Sequence, residues 1–228
     1  MTHQFNSNRG FGIEIEFSSP SSLNSIANIL NDNLLHSHNV GVVRESYNHT
    51  TRNYWKIVGD ASLRSQRGHI TTGEIVSPIL YGENGLQQLK VILDGLNNAG
   101  CEVNATCGVH VHHDLSNWIG RPSSMTTQMT VSKRREYFAN NMNNFISLVD
   151  KYEHCNYSLL PQSSLAAYST PVRAMIPNYR ENNSSSYKGR KNALKEVFNT
   201  RNVGSHRAMN RNRYCGLNFQ PLFERGSC

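Results

Sequence analysis

Two short runs carry side chains of metal-ligand type at alternate positions: Glu14 and Glu16 in Gly12-Ile-Glu-Ile-Glu-Phe17, and His110 and His112 in Gly108-Val-His-Val-His-His113. Alternate side chains of an extended strand share one face. Each pair therefore projects together, while Ile13, Ile15, Val109 and Val111 pack on the other side. Two such strands in one sheet would converge on a cation. Asp60, after Gly59 at the end of the apolar run Trp55-Lys-Ile-Val58, and Glu74, between Gly73 and Ile75, have the same character. An unpaired carboxylate in the mostly apolar strand around Glu74 is costly, and a cation would offset the cost. Several carboxylates with one or two imidazoles suit Mg²⁺ or Mn²⁺ better than structural zinc, and such sites serve nucleotide phosphates. Each residue alone also has a plain reading, as the wet face of a strand or, for Asp60, as a turn former.

Positioning these residues calls for strands at Gly10 to Phe17, Tyr54 to Val58, His69 to Ser77 and Cys101 to His113. A turn around Arg67-Gly68 makes the second and third antiparallel neighbours, and Pro78 stops the third. Between the strands, Ser22 to His36 has a helical period through Leu23, Ile26, Ile29, Leu30 and Leu34. Gly85 to Asn98 places Leu86, Leu89, Val91, Ile92, Leu93 and Leu96 mostly on one stripe, with Gly100 as its stop. A long helix is expected over Val131 to Tyr152, a loop-rich part with a short helix at Lys188 to Phe198, and a last strand at Arg213 to Leu222.

A chain of 228 residues, 37% of them hydrophobic, can bury a substantial core, most economically as one domain. No stretch approaches the roughly 20 apolar residues of a membrane span, and the first residues lack the apolar core of a secretory signal, so the expectation is a cytoplasmic protein with no membrane partner. Five cysteines without CxxC spacing read as free thiols. The net charge of +7 favours anionic partners, whether nucleotides, phosphates or nucleic acid. No Walker loop, dinucleotide fingerprint or protein-kinase motif is present, so a nucleotide would have to lie in a sheet-lined groove.

In order, Phe11-Gly-Ile-Glu-Ile-Glu-Phe17, Trp55-Lys-Ile-Val-Gly-Asp-Ala-Ser-Leu63, Gly73-Glu-Ile-Val-Ser-Pro-Ile-Leu80 and Cys107-Gly-Val-His-Val-His-His113 resemble the motifs of the amidoligase family. That family belongs to the carboxylate-amine ligase superfamily, with glutamine synthetase and glutamate-cysteine ligase. The helix between the third and fourth motifs and Tyr214-Cys-Gly-Leu-Asn-Phe-Gln220 are similar to the family as well. The resemblance implies an α+β fold: a curved antiparallel sheet in a half-barrel, with helices on its convex side and the active site on the concave face. It implies one catalytic domain over residues 1–228, with a variable loop-rich and helical part at 158–213. The chain reaches Phe223-Glu-Arg-Gly-Ser-Cys228 where the family has a further Glu-Phe-Arg strand, so the expectation is a domain without that strand.

The implied chemistry is ATP-dependent joining of a carboxylate substrate, an amino acid or peptide, to an amine through an acyl phosphate, with Mg²⁺ or Mn²⁺. By position Glu14, Glu16, Glu74 and His110 look like metal ligands, His112 like a contact to the transferring phosphate or the substrate, and Asp60 like a group orienting the amine or a metal-bound water. Arg173, Arg180, Arg207 and Arg211 are candidates for phosphate or carboxylate contacts. Two other readings stay open: a catalytically impaired ligase-fold protein that binds nucleic acid or a protein partner, and a metal-dependent hydrolase using His110, His112 and Asp114.

Overall fold

The computed structural model of the protein describes residues 9–114 together with residues 141, 144, 145, 148, 149, 151–155, 157 and 158. Two compact units divide the chain, Met1–His113 and Asp114–Cys228. In the second, the described positions between 141 and 157 are helical, in the region where a long helix is expected. The expected late helix and last strand lie outside the described residues.

In the first unit, strand β1 (Gly10–Ser19) buries alternate residues, with Ile13, Ile15 and Phe17 in the core. They pack with helix α1 (Leu23–His38), whose Leu23, Ile26, Ala27, Leu30 and Leu34 supply an apolar stripe at helical spacing. Ser22 caps α1 by accepting the Ser25 N–H at 3.2 Å, and Asn39 closes it in the left-handed region. Helix α2 (Gly82–Asn98) adds Ile92 and Leu96 to the same core and starts three residues earlier than its apolar period indicates.

The remaining strands are β2 (Val42–Arg44), β3 (Trp55–Val58), β4 (Thr71–Val76), β5 (Leu80–Tyr81) and β6 (Val109–His113). They form an open sheet in the order β2-β3-β4-β1-β5, with β6 also paired to β1. β3 and β4 are antiparallel neighbours, as the turn between them requires. The expectation of a wholly antiparallel sheet is corrected, because β2 pairs β3 in parallel and the sheet is mixed. The reason is the crossover: α1 carries the chain back over the sheet, so β2 runs in the direction of β1, as does β3, since β1 and β3 both flank β4 antiparallel.

The connection from β2 to β3 is held by its own charges. Glu45 accepts from Arg52 Nε at 3.0 Å and from the Tyr54 hydroxyl at 2.5 Å, which keeps its carboxyl down at about 2. Lys56, buried on β3, donates to Asn48 O, Asn48 Oδ1 and Thr50 O at 2.8–3.0 Å, satisfying all three ammonium protons without a carboxylate.

A second correction concerns β6. Only Val109–His113 of the expected Cys101 to His113 strand forms one; Glu102 makes an isolated bridge to Ser18, and a turn at 104–107 follows. Val109 and Val111 are 59% and 52% exposed instead of packed, since the core lies under β1 to β5 and none of its residues comes from β6.

The helices meet closely at Gly95, where an added Cβ would lie 2.4 Å from Leu30 Cδ2. Gly95→Ala is therefore expected to lower stability by about 1–3 kcal/mol through overpacking, although alanine is the better helix former. Thermal melts check this; a melting temperature at or above the wild type's would refute it. Among the described residues no helix is long and apolar enough to cross a membrane, and Cys101, Cys107 and Cys155 are free thiols.

Candidate functional site

β1 lies between β4 and β6, and the registers on its two sides decide which polar groups meet. Glu16 faces Glu74 across one edge; Glu14 faces His110 and Gly12 faces His112 across the other. Directly opposed residues on one face have Cβ atoms about 5 Å apart. The face opposite the core thus gathers Glu14, Glu16, Glu74, His110 and His112 into one patch.

Glu14 is its hub. Oε2 of Glu14 lies 3.2 Å from His110 Nδ1 and 3.3 Å from His112 Nε2. Burial by itself would raise the Glu14 pKa, but the hydrogen bonds and charges of the two histidines outweigh it and hold the carboxyl far below its ordinary range. In return the hydrogen bond that His110 donates to Glu14 raises the His110 pKa against the opposing effect of burial.

Glu74 is the opposite case. It is 9% exposed, and no hydrogen bond from a described residue reaches its carboxylate. Burial first, then the charges of Glu14 and Glu16, push its pKa up to about 7. A carboxylate held like this is either protonated or paired with a cation. Ligand atoms of Glu14, Glu74 and His110 all lie within 4.8 Å of one another, a spacing that one ion can bridge.

Glu16 shares the face but has another partner. Its Oε2 accepts the Gly108 N–H at 2.6 Å, and its own N–H bonds Gly108 O at 3.0 Å. This pair of bonds fixes the entry to β6 and hence where His110 sits. Burial raises the Glu16 pKa, the Gly108 bond opposes it, and Asp60 and Glu14 add to it by charge. Asp60 stands nearby, in electrostatic reach of Glu16 and Glu74, with Oδ1 accepting the Ser62 N–H at 2.7 Å. The loop that follows is tied to the turn before β6, since Arg64 N donates to Thr106 Oγ1 at 3.0 Å and Asn104 Nδ2 donates to Arg64 O at 2.8 Å.

Of the expected metal ligands, then, Glu14, Glu74 and His110 come together. Glu16 sits beside them, bonded to Gly108; His112 is bound to Glu14; Asp60 stands at the margin. Among the described residues this trio is the one metal-capable group, and Asp114 is not part of it. Arg173, Arg180, Arg207 and Arg211 lie outside the described residues. Gly108 is a contributor that sequence reasoning did not single out, and its one signal was a glycine at the entry to the histidine strand.

A family model described as "putative amidoligase enzyme" matches residues 7–227. No curated protein and no solved structure matches the chain.

Proposed function

The chain belongs to the amidoligase family, a family of ligase-type enzymes, and we propose that it joins a carboxylate to an amine at the expense of ATP. The carboxylate of one substrate takes the γ-phosphoryl group of ATP, releasing ADP; the amine then attacks the acyl carbon, phosphate leaves, and the amine proton passes to solvent or a nearby base. The observation that carries this reading is the convergence of Glu14, Glu74 and His110 within 4.8 Å.

Two carboxylates and an imidazole are a donor set suited to Mg²⁺ or Mn²⁺, and the raised Glu74 pKa supplies a buried carboxylate in need of a counter-charge. Glu14, Glu74 and His110 would hold such an ion, which when bound lowers the repulsion between a carboxylate and a polyphosphate. Glu14 keeps His110 and His112 oriented through one carboxylate oxygen, so that His112, its exposed neighbour, can donate to phosphate oxygens. Glu16 holds the β6 entry in place through Gly108. Asp60, within reach of the cluster's field, is the candidate for orienting the amine.

The direct test mixes the protein with ATP, Mg²⁺ and a panel of amino acids and glutamyl peptides. ADP and phosphate release that needs both a carboxylate and an amine is the expected result. No nucleotide turnover with any pair, together with zinc retained through purification and hydrolysis without ATP, would replace the ligase by the hydrolase.

A further inference from the structure

On the face that carries the cluster, β1 presents Gly10 and Gly12 before Glu14 and Glu16. The two glycines differ in what covers them. A Cβ on Gly10 would lie 2.9 Å from Ile79 Cγ2 and 3.4 Å from the Tyr81 ring, so these side chains already occupy that space. A Cβ on Gly12 would meet nothing nearer than His112 Cβ at 3.6 Å and Ser77 Oγ at 3.8 Å, which are ordinary contacts. Gly12 has no positive φ either. The fold therefore has room for a side chain at position 12, and glycine in a strand interior costs stability; where packing does not demand it, it marks the close approach of another group.

What lies beyond the bare position is apolar and exposed. Ile79 and Tyr81 are 54% and 51% exposed, and a bulge puts them there. β4 pairs β1 in a register that sets Val76 against Glu14, whereas β5 sets Tyr81 against Gly10, a slip of one residue accommodated around Pro78. Without the slip Leu80 would face the cluster's side and Tyr81 the core; with it Leu80 is buried and the Tyr81 ring stands beside Gly10. At a rise of about 3.4 Å per residue, Gly10 is about 14 Å from Glu14 along the strand. That separation matches the reach of a nucleoside triphosphate from its terminal phosphate to its base.

We propose that this strip is a nucleoside subsite: the sugar crosses the open position at Gly12, the base stacks on Tyr81 beside Ile79, and the phosphates run toward Glu14, Glu74 and His110. The assignment rests on the ATP-dependent reading above and adds where the nucleoside lies. An aromatic face with an aliphatic neighbour recognises a base by stacking rather than by its hydrogen-bonding edge, so ATP and GTP should bind similarly.

The test compares Mg²⁺-dependent binding of ATP and of inorganic tripolyphosphate to the full chain. Tyr81→Ala should weaken ATP on the order of tenfold while leaving tripolyphosphate unchanged, and Tyr81→Phe should retain ATP affinity. Gly12→Ala should melt no lower than the wild type yet bind ATP more weakly, a control that stands even if Tyr81→Ala does not fold. If the variants alter ATP and tripolyphosphate alike, or alter only the KM of the amine or carboxylate substrate, the subsite is wrong and the ligase reading survives. Equal wild-type affinity for ATP and tripolyphosphate has the same meaning. A wild type that binds neither overturns both.

Discussion

Glu14→Ala should abolish divalent-cation binding and, with it, turnover. Glu14 stands in the cluster twice over, as a carboxylate within 4.8 Å of Glu74 and His110 and as the acceptor that orients both imidazoles through one oxygen. Losing a group that only orients a metal-bound histidine costs about 10–100-fold in affinity, and losing a ligand as well should exceed that range. Calorimetric titration with Mn²⁺ measures the loss, and a thermal melt shows that the variant folds. His110 should also titrate lower by NMR, because the bond that raises it is gone. A variant that keeps Mn²⁺ affinity within a few-fold of the wild type would remove Glu14 from the metal site.

The second large effect belongs to Glu74 and depends on pH. Burial and the neighbouring carboxylates raise its pKa from 4.5 to about 7 in the folded protein. The native state therefore binds this proton more tightly than the unfolded chain does. Its stabilising contribution is complete below the unfolded value and is lost as pH rises toward and through about 7. Glu74→Gln cannot ionise, so its melting temperature relative to the wild type should climb between about pH 5 and about pH 8, ending higher than the wild type at the alkaline end. The same exchange should destroy cation affinity. In the wild type a bound cation must displace the proton, so affinity should improve about tenfold from about pH 6 to about pH 8. A melting difference that stays constant with pH would show that Glu74 is not held protonated by its surroundings. A variant more stable without its function is the usual signature of a site that stores repulsion for a ligand.

Much of this architecture is legible in the residue pattern because it rests on local periods. The alternation of Ile13, Ile15 and Phe17 with Glu14 and Glu16 predicts β1 and assigns its faces, and the apolar stripe from Leu23 to Leu34 predicts α1. Three-residue β2 and two-residue β5 are too short to show a period, and strand direction leaves no trace in one, which is why the parallel β2–β3 pair comes as a correction. Val109 and Val111 have the alternation of a strand buried on one face, but burial also needs something to pack against, and the core ends short of β6. The Pro78 bulge belongs with these: Pro78 reads as a strand stop, and only the paired strands show that it turns Tyr81 onto the cluster's face.

The sequence by itself determined which side chains share a face: Glu14 with Glu16, and His110 with His112, because a strand repeats every two residues wherever it is placed. Only the tertiary structure decided which of them meet. Register joins Glu14 to His110 across a separation of 96 residues and sends Glu16 to the Gly108 amide instead. A shift of two residues in that pairing would leave every side chain on the same face, yet in one direction it would set Glu16 opposite His110 and Glu14 opposite His112. The choice depends on long-range hydrogen bonds and on the turn before β6, which no local period encodes.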